Sequence, residues 1–181
     1  MLYIFYVLPF WFVCFGIICA ILLWSKIMAI SERQQITTTI FKICSVVCLM
    51  LSLCLVLYAT VYGRHEARGI SLIPFRSLKE AKTQPEIYRT MLMNLALFVP
   101  FGLSLTSCIT RRFSIKQRTF LTLIFAFILS SLIEASQYIF ALGIFQTDDI
   151  ICNTCGALLG TLSLQLRKHF INSYLYDLEF I

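Results

Sequence analysis

The chain has 181 residues, of which 59% are hydrophobic and 13% are charged, and its mean hydropathy is +0.85. Soluble domains carry about a quarter charged residues, so this composition cannot supply the polar exterior of a water-soluble fold. The net charge of +6 arises mainly between apolar runs, which favours a role in membrane orientation over nucleic-acid binding.

Five apolar runs are long enough to cross a membrane, since about 20 residues span the hydrocarbon as a helix. The first, residues 1–24, lacks the basic residues and cleavage site of a signal peptide, so we expect a retained helix. The third contains Pro100 and Gly102, where we expect a bend or local unwinding. The second to fifth runs cover residues 40–62, 90–108, 119–142 and 149–166, in that order.

The sequence therefore predicts an all-α integral membrane protein, a bundle of about five transmembrane helices. Basic residues in the connections set its orientation, because cytoplasmic loops are enriched in Lys and Arg. The larger group comprises Lys26, Arg33, Lys42, Arg111, Arg112, Lys116, Arg118, Arg167 and Lys168. The smaller group comprises Arg64, Arg68, Arg76, Lys79, Lys82 and Arg89. This asymmetry predicts the N-terminus outside and the C-terminus in the cytoplasm.

The predicted organisation begins with two N-terminal transmembrane helices within 1–62, followed by an extracytoplasmic loop at 63–89. A core of three transmembrane helices occupies 90–166, with its 143–148 turn outside, and a cytoplasmic interfacial tail covers 167–181. The eight cysteines fall in or beside apolar runs, where Cys behaves as a small hydrophobe. Cys152 and Cys155 have no second pair nearby, so we predict no metal and no cofactor.

Polar residues from three predicted helices gather toward the outside of this bundle. A charge within a span costs about 2.5–3.5 kcal/mol on insertion scales, so a buried acid needs a partner or a function. Ser130 and Gln137 share a helix face with Glu134, at i−4 and i+3. We therefore predict Glu134 and Asp149 as catalytic carboxylates in one small pocket open to the exterior. The predicted binding residues are Asn94, Gln137, Asp148 and Asn153.

Structural explanations for the same residues stay open. Asp149 suits a helix N-terminus, where its carboxylate would cap backbone N–H groups. Gly156 and Gly160 form a small-xxx-small pair that predicts close helix packing. In the long loop, Pro74 and Phe75 belong to an apolar segment that we predict either covers the pocket as a lid or anchors the loop at the membrane surface.

Four motifs resemble those of the VanZ-like family of membrane proteins, in order and approximate spacing. They are SLIPF at 71–75, NLALFVPFG at 94–102, SLIEASQ at 131–137 and DDIICNTCGALLG at 148–160. The chain departs from the family at Ser71, where Asn is frequent, and at Gly143, where many members carry Arg. The second departure removes a cationic partner for the acidic cluster.

The resemblance implies a role in the bacterial envelope and a multi-pass location in the cytoplasmic membrane. The family takes its name from a factor associated with reduced susceptibility to teicoplanin, a glycopeptide antibiotic that acts on cell-wall precursors. The expected partners are membrane lipid and either a cell-wall precursor or the glycopeptide, without nucleic acid.

Three alternatives stay open beside the antibiotic-resistance role. One is an intramembrane acid/base enzyme acting on a lipid or lipid-linked envelope precursor. Another is a small transporter or channel, a homo-oligomer assembled through the face of Gly156 and Gly160. The third is a purely structural polar cluster that holds the helices together.

Overall fold

The computed structural model describes residues 10–31, 35–61 and 67–179, and these residues are mostly helical. In chain order the elements are α1 (Phe10–Ser31), α2 (Gln35–Val61), β1 (Ala67–Ser71), α3 (Arg76–Glu80), α4 (Pro85–Cys108), α5 (Ile115–Ile139), β2 (Leu142–Gln146) and α6 (Thr147–Glu179). Residues 1–9 of the first predicted run lie outside the described residues.

Within the described residues, four helices are long and apolar enough to cross a membrane, and they confirm the prediction of an all-α membrane protein. Large apolar side chains cover the outside of the bundle, and Phe15, Leu51 and Phe125 are each more than half exposed. An apolar surface of this extent is expected to contact lipid, because soluble proteins rarely expose large apolar patches to water. The four spans are Phe12–Ser31, Thr39–Ala59, Glu86–Cys108 and Ile115–Ile139.

Helix α6 is the fifth long helix, and it begins beside the strands with two aspartates and an asparagine within its first turns. These polar residues lower its apolar character, so its role as a fifth span stays a prediction. The helix continues to Glu179, through the segment predicted as a separate interfacial tail. Helix α6 also lies centrally, because it packs along α4 and contacts α1 and α5.

Local signals explain where two of the helices begin. Helix α5 begins with a capping box, in which Ser114 Oγ accepts the Gln117 N–H at 3.3 Å and Gln117 Oε1 accepts the Ser114 N–H at 2.9 Å. Helix α4 begins with Pro85 in its first turn. It then continues through Pro100 without interruption, so the local unwinding expected there is wrong.

The two predicted loops contain regular structure that hydropathy does not reveal. The 63–89 segment includes β1, α3 and the start of α4, while most of the predicted 143–148 turn is strand β2. Strands β1 and β2 pair in parallel, from Ala67 opposite Leu142 to Ser71 opposite Gln146. Helix α5 ends before residue 142 because the chain turns at Ala141, whose φ of 55° lies in the left-handed region.

The interior of the bundle is rich in small polar side chains. Ser45, Ser104 and Ser163 are fully buried. The Ser45 hydroxyl donates to the Phe41 carbonyl one turn earlier at 2.8 Å, and Ser104 does the same to Pro100 at 2.6 Å. Such bonds satisfy a buried hydroxyl within its own helix. Small residues also let membrane helices approach closely.

Candidate functional site

Most of the predicted site residues lie together at the end of the bundle that carries the two strands. Side-chain burial is nearly complete, because Glu134 is 2% exposed and Gln137 is 1% exposed. The pocket predicted to be open to the exterior is therefore closed by protein in this structure. The other buried members are Asp148, Asp149 and Asn153.

Asp148 fixes the apolar segment of the long loop. Its Oδ1 accepts the backbone N–H of Phe75 at 2.6 Å, and its Oδ2 accepts that of Ser77 at 2.7 Å. Phe75 has a left-handed backbone, with φ of 61° and ψ of 16°, and this turn aims both N–H groups at one carboxylate. Both oxygens of Asp148, predicted as a binding residue, thus hold the chain itself.

Pro74 and Phe75 lie on the surface above this carboxylate, and the side chain of Phe75 is 56% exposed. The segment predicted as a lid is thus joined to the polar cluster through backbone hydrogen bonds. Its apolar side chains point outward, since Leu72 and Ile73 are each 64% exposed. Exposed apolar side chains of this kind suit contact with lipid, and the role of the segment as a lid stays a prediction.

Glu134 holds the other side of the same junction. Its Oε2 accepts the backbone N–H of Gln146 at 2.9 Å, where β2 passes into α6. Helix α5 thereby fixes the position from which Asp148 reaches Phe75. Each carboxylate thus fixes a different segment: Glu134 fixes the start of α6, and Asp148, which lies at that start, fixes the long loop.

The buried amides link α5 to α6 and leave two acceptors unused. Asn153 Nδ2 donates to Ser130 Oγ at 2.8 Å. Gln137 Oε1 and Asn153 Oδ1 are buried and have no hydrogen-bond partner in the described part of the chain. A buried acceptor without a partner is costly and asks for an explanation.

Asn94 differs from the other candidates. It is half-buried on α4, and among the described residues no hydrogen bond joins its side chain to the cluster. Its neighbour Leu95 lies against Gly156 of α6, so Asn94 lies beside the cluster without joining it.

The glycines of α6 sit against α4 of the same chain. A Cβ on Gly156 would collide with the Leu95 carbonyl, and one on Gly160 would lie 2.6 Å from both Leu103 N and Val99 O. Gly102 of α4 meets the Ala157 backbone from the other side. The close helix packing predicted for these glycines is therefore made within the chain, and the homo-oligomer stays a prediction.

Sequence reasoning missed the backbone groups that the carboxylates bind, and it missed Arg68. Strand pairing places Arg68 opposite Gly143, the position where the family pattern often has Arg. The Arg68 guanidinium lies 5.0 Å from the Tyr138 ring centroid, a cation–π contact. The neighbouring strand thus supplies a cation next to Gly143, which sequence spacing alone could not show.

Within residues 10–31, 35–61 and 67–179, no group of three or more His, Cys, Asp and Glu side chains could hold a metal ion.

Comparison with known proteins bears on the four motifs that this geometry brings together. The VanZ/LLP1 family model matches residues 42–168. The chain belongs to the VanZ/LLP1 family. It is similar to "Protein VanZ" of Enterococcus faecium, with 32% identity over 119 residues, 65% of this chain and 65% of the relative. The match therefore spans less than two thirds of that relative's length. No solved structure matches the chain.

Within the VanZ/LLP1 region, contacts connect the four motifs directly or through the adjoining strand. Asp148 of the last motif accepts the backbone N–H of Phe75 in SLIPF. Glu134 of SLIEASQ accepts the backbone N–H of Gln146, which lies two residues before the last motif. NLALFVPFG packs on the last motif through Gly102 and Gly156. The motifs, distant in sequence, thus build one structural unit.

Proposed function

We propose that this protein is a VanZ-like factor of the bacterial cytoplasmic membrane that lowers susceptibility to teicoplanin-type glycopeptide antibiotics. One observation carries the proposal: three of the four family motifs meet at a single junction, where Asp148 and Glu134 hold the SLIPF segment and the start of α6. The fourth motif packs on the same helix through Gly102 and Gly156. A family-specific activity is expected where the family-specific residues meet.

The shape of this junction suits a role at the outer face. In the predicted orientation the strands and α3 face outside, where cell-wall precursors and glycopeptides meet. Leu72 and Ile73 project from the segment held by Asp148, and apolar side chains of this kind can enter the lipid interface. The segment would then present a fixed surface at the outer leaflet, where it acts on access or binding of the antibiotic.

Teicoplanin inhibition in a sensitive Gram-positive host tests the proposal. Expression of the wild-type chain should raise the minimal inhibitory concentration, and Asp148→Ala should abolish the increase at equal membrane abundance. Glu80→Gln is the matched control, because it removes an acid of the exposed Arg76–Glu80 pair in the same loop. Failure of the wild-type chain to raise the inhibitory concentration, at verified membrane expression, would contradict the proposed function.

A second candidate, an intramembrane acid/base enzyme, is favoured by one observation. The unused acceptors Gln137 Oε1 and Asn153 Oδ1 are buried in the same cluster as Glu134, and a bound hydroxyl or amine could donate to them. The lipid and precursor composition of expressing cells separates the two candidates. A product that appears with the wild-type chain and disappears with Glu134→Gln would identify an enzyme.

A further inference from the structure

Three buried hydroxyl groups lie in the half of the bundle away from the strands, and none of them has a hydrogen-bond partner among the described residues. They belong to Thr106 of α4, Thr122 of α5 and Ser163 of α6, which are fully buried. A buried hydroxyl can bond within its own helix, as Thr161 does by donating to the Leu158 carbonyl at 2.7 Å. The three exceptions need a partner from outside their helices, because a buried polar atom without one is unfavourable.

Helix packing places Thr106 and Ser163 at the same level. Helices α4 and α6 run side by side in the same direction, and Gly160 of α6 lies against Leu103 of α4. Thr106 and Ser163 each follow this contact by three residues, which is nearly one helical turn. The two side chains therefore lie one turn further from the strands on neighbouring helices.

Arg118 brings Thr122 of α5 to the same region. Its Nε donates to the Thr106 carbonyl at 3.1 Å, which joins the start of α5 to the last turn of α4. Thr122 follows Arg118 by four residues and is buried on the same face of α5. A basic cavity of about 370 Å³ opens beside them, with Ser107 and Arg118 in its lining, so water has access to this part of the interface.

We propose that this interface binds an internal water molecule, which bridges the hydroxyls of Thr106 and Thr122 and has Ser163 as a third partner. Water suits three hydroxyls because it donates and accepts hydrogen bonds, as they do. Internal waters typically form about three hydrogen bonds with buried polar groups that have no other partner. The water links α4, α5 and α6 away from the strands, and this role is independent of the proposed activity against glycopeptides.

A double-mutant cycle on the purified full chain in detergent tests the bridge. Thermal unfolding midpoints are measured for Thr106→Val, Thr122→Val and the double variant, because valine replaces the hydroxyl by a methyl group and otherwise resembles threonine. Thr154→Val, alone and with Thr122→Val, is the matched control. The Thr154 hydroxyl already donates to the Ile150 carbonyl of its own helix, at 2.8 Å.

We expect each single variant at Thr106 or Thr122 to lower the midpoint by about 2–4 °C. The double variant should lose about as much as one single variant, because the first change already breaks the bridge. The effects of Thr154→Val and Thr122→Val should add. Midpoints that stay equal or rise in both single variants would overturn the proposal, and so would additive effects of Thr106→Val and Thr122→Val.

NMR of the chain in lipid bilayers detects the water itself. Magnetisation transferred from water should reach the side chain of Thr122 in the wild type, and the transfer should fall in Thr106→Val. Val99, buried in an apolar cluster, is the dry reference. Coupled midpoints without any transfer from water to Thr122 would indicate a direct bond between the two hydroxyls and would overturn the water site.

Discussion

Asp148 accepts backbone N–H groups of Phe75 and Ser77, 73 and 71 residues earlier in the chain, and Glu134 accepts that of Gln146, 12 residues later. A hydrogen bond to a charged group contributes about 1.5–3 kcal/mol, more than a neutral one. This geometry gives the two acids a structural role in addition to any chemistry. It also explains why charged side chains are retained near the membrane, where an unpaired charge is unfavourable.

Removal of the Asp148 carboxylate should release the SLIPF segment. We expect Asp148→Ala to lower the free energy of unfolding by about 1–3 kcal/mol and to speed amide hydrogen exchange at Phe75 and Ser77. Asp148→Asn should fall between the wild type and Asp148→Ala, because its single carbonyl oxygen can replace only one of the two carboxylate oxygens that accept the Phe75 and Ser77 N–H groups. Glu80→Gln should exchange like wild type at both amides. Unchanged exchange in Asp148→Ala would show that the two bonds do not hold the segment.

Glu134→Gln separates a structural acid from a catalytic one. A glutamine oxygen can still accept the Gln146 N–H, so we expect this variant to insert, fold and change teicoplanin susceptibility like wild type. Glu134→Leu should lose both stability and function, because the Gln146 N–H then has no acceptor. Thermal unfolding and inhibitory concentration are the two measurements. A stable Glu134→Gln variant without function would show that the titratable proton is essential.

At the scale of the helices, the contact of α4 with α6 depends on the absence of side chains. Gly156→Ala would place a methyl group against the Leu95 carbonyl, and overpacking of this kind costs about 1–3 kcal/mol. We therefore expect a lower thermal midpoint in detergent. Gly16→Ala is the control, because a Cβ there meets no atom within 4 Å. Equal midpoints for the two variants would mean that the helices separate easily at this contact.

At the scale of the whole molecule, the basic cavity lies at the end of the bundle opposite the strand junction, and its lining includes Lys42, Arg111, Arg118 and Arg167. Single cysteines at Thr83 and Thr110, both exposed, report on these ends in a chain without its native cysteines. We expect an impermeant thiol reagent to label Thr83→Cys and not Thr110→Cys in intact cells, because the end richer in basic residues is retained in the cytoplasm. The reverse labelling would place the cluster inside and remove the outer-face argument.

Composition and hydropathy alone determined that the chain is an all-α membrane protein. A long apolar run in lipid has no water to bind its backbone N–H and C=O groups, and a helix pairs these groups within the run itself. Helical spacing also found the face of Ser130, Glu134 and Gln137, since that periodicity is local. The apolar run predicted this helix at residues 119–142, whereas α5 spans Ile115–Ile139, because hydropathy does not detect the polar capping box at its start. Four family motifs added the relationship to VanZ-like proteins.

Tertiary structure alone decided what these residues touch. The bonds from Asp148 to Phe75 and from Glu134 to Gln146 join backbone groups that carry no signature in the side-chain sequence. Pairing of β1 with β2 depends on two five-residue segments brought together by the helices between them, and a hydropathy run has no information about such long-range pairing. The basic cavity formed for the same reason: charges spread along the sequence converge only when the helix ends that carry them are packed side by side.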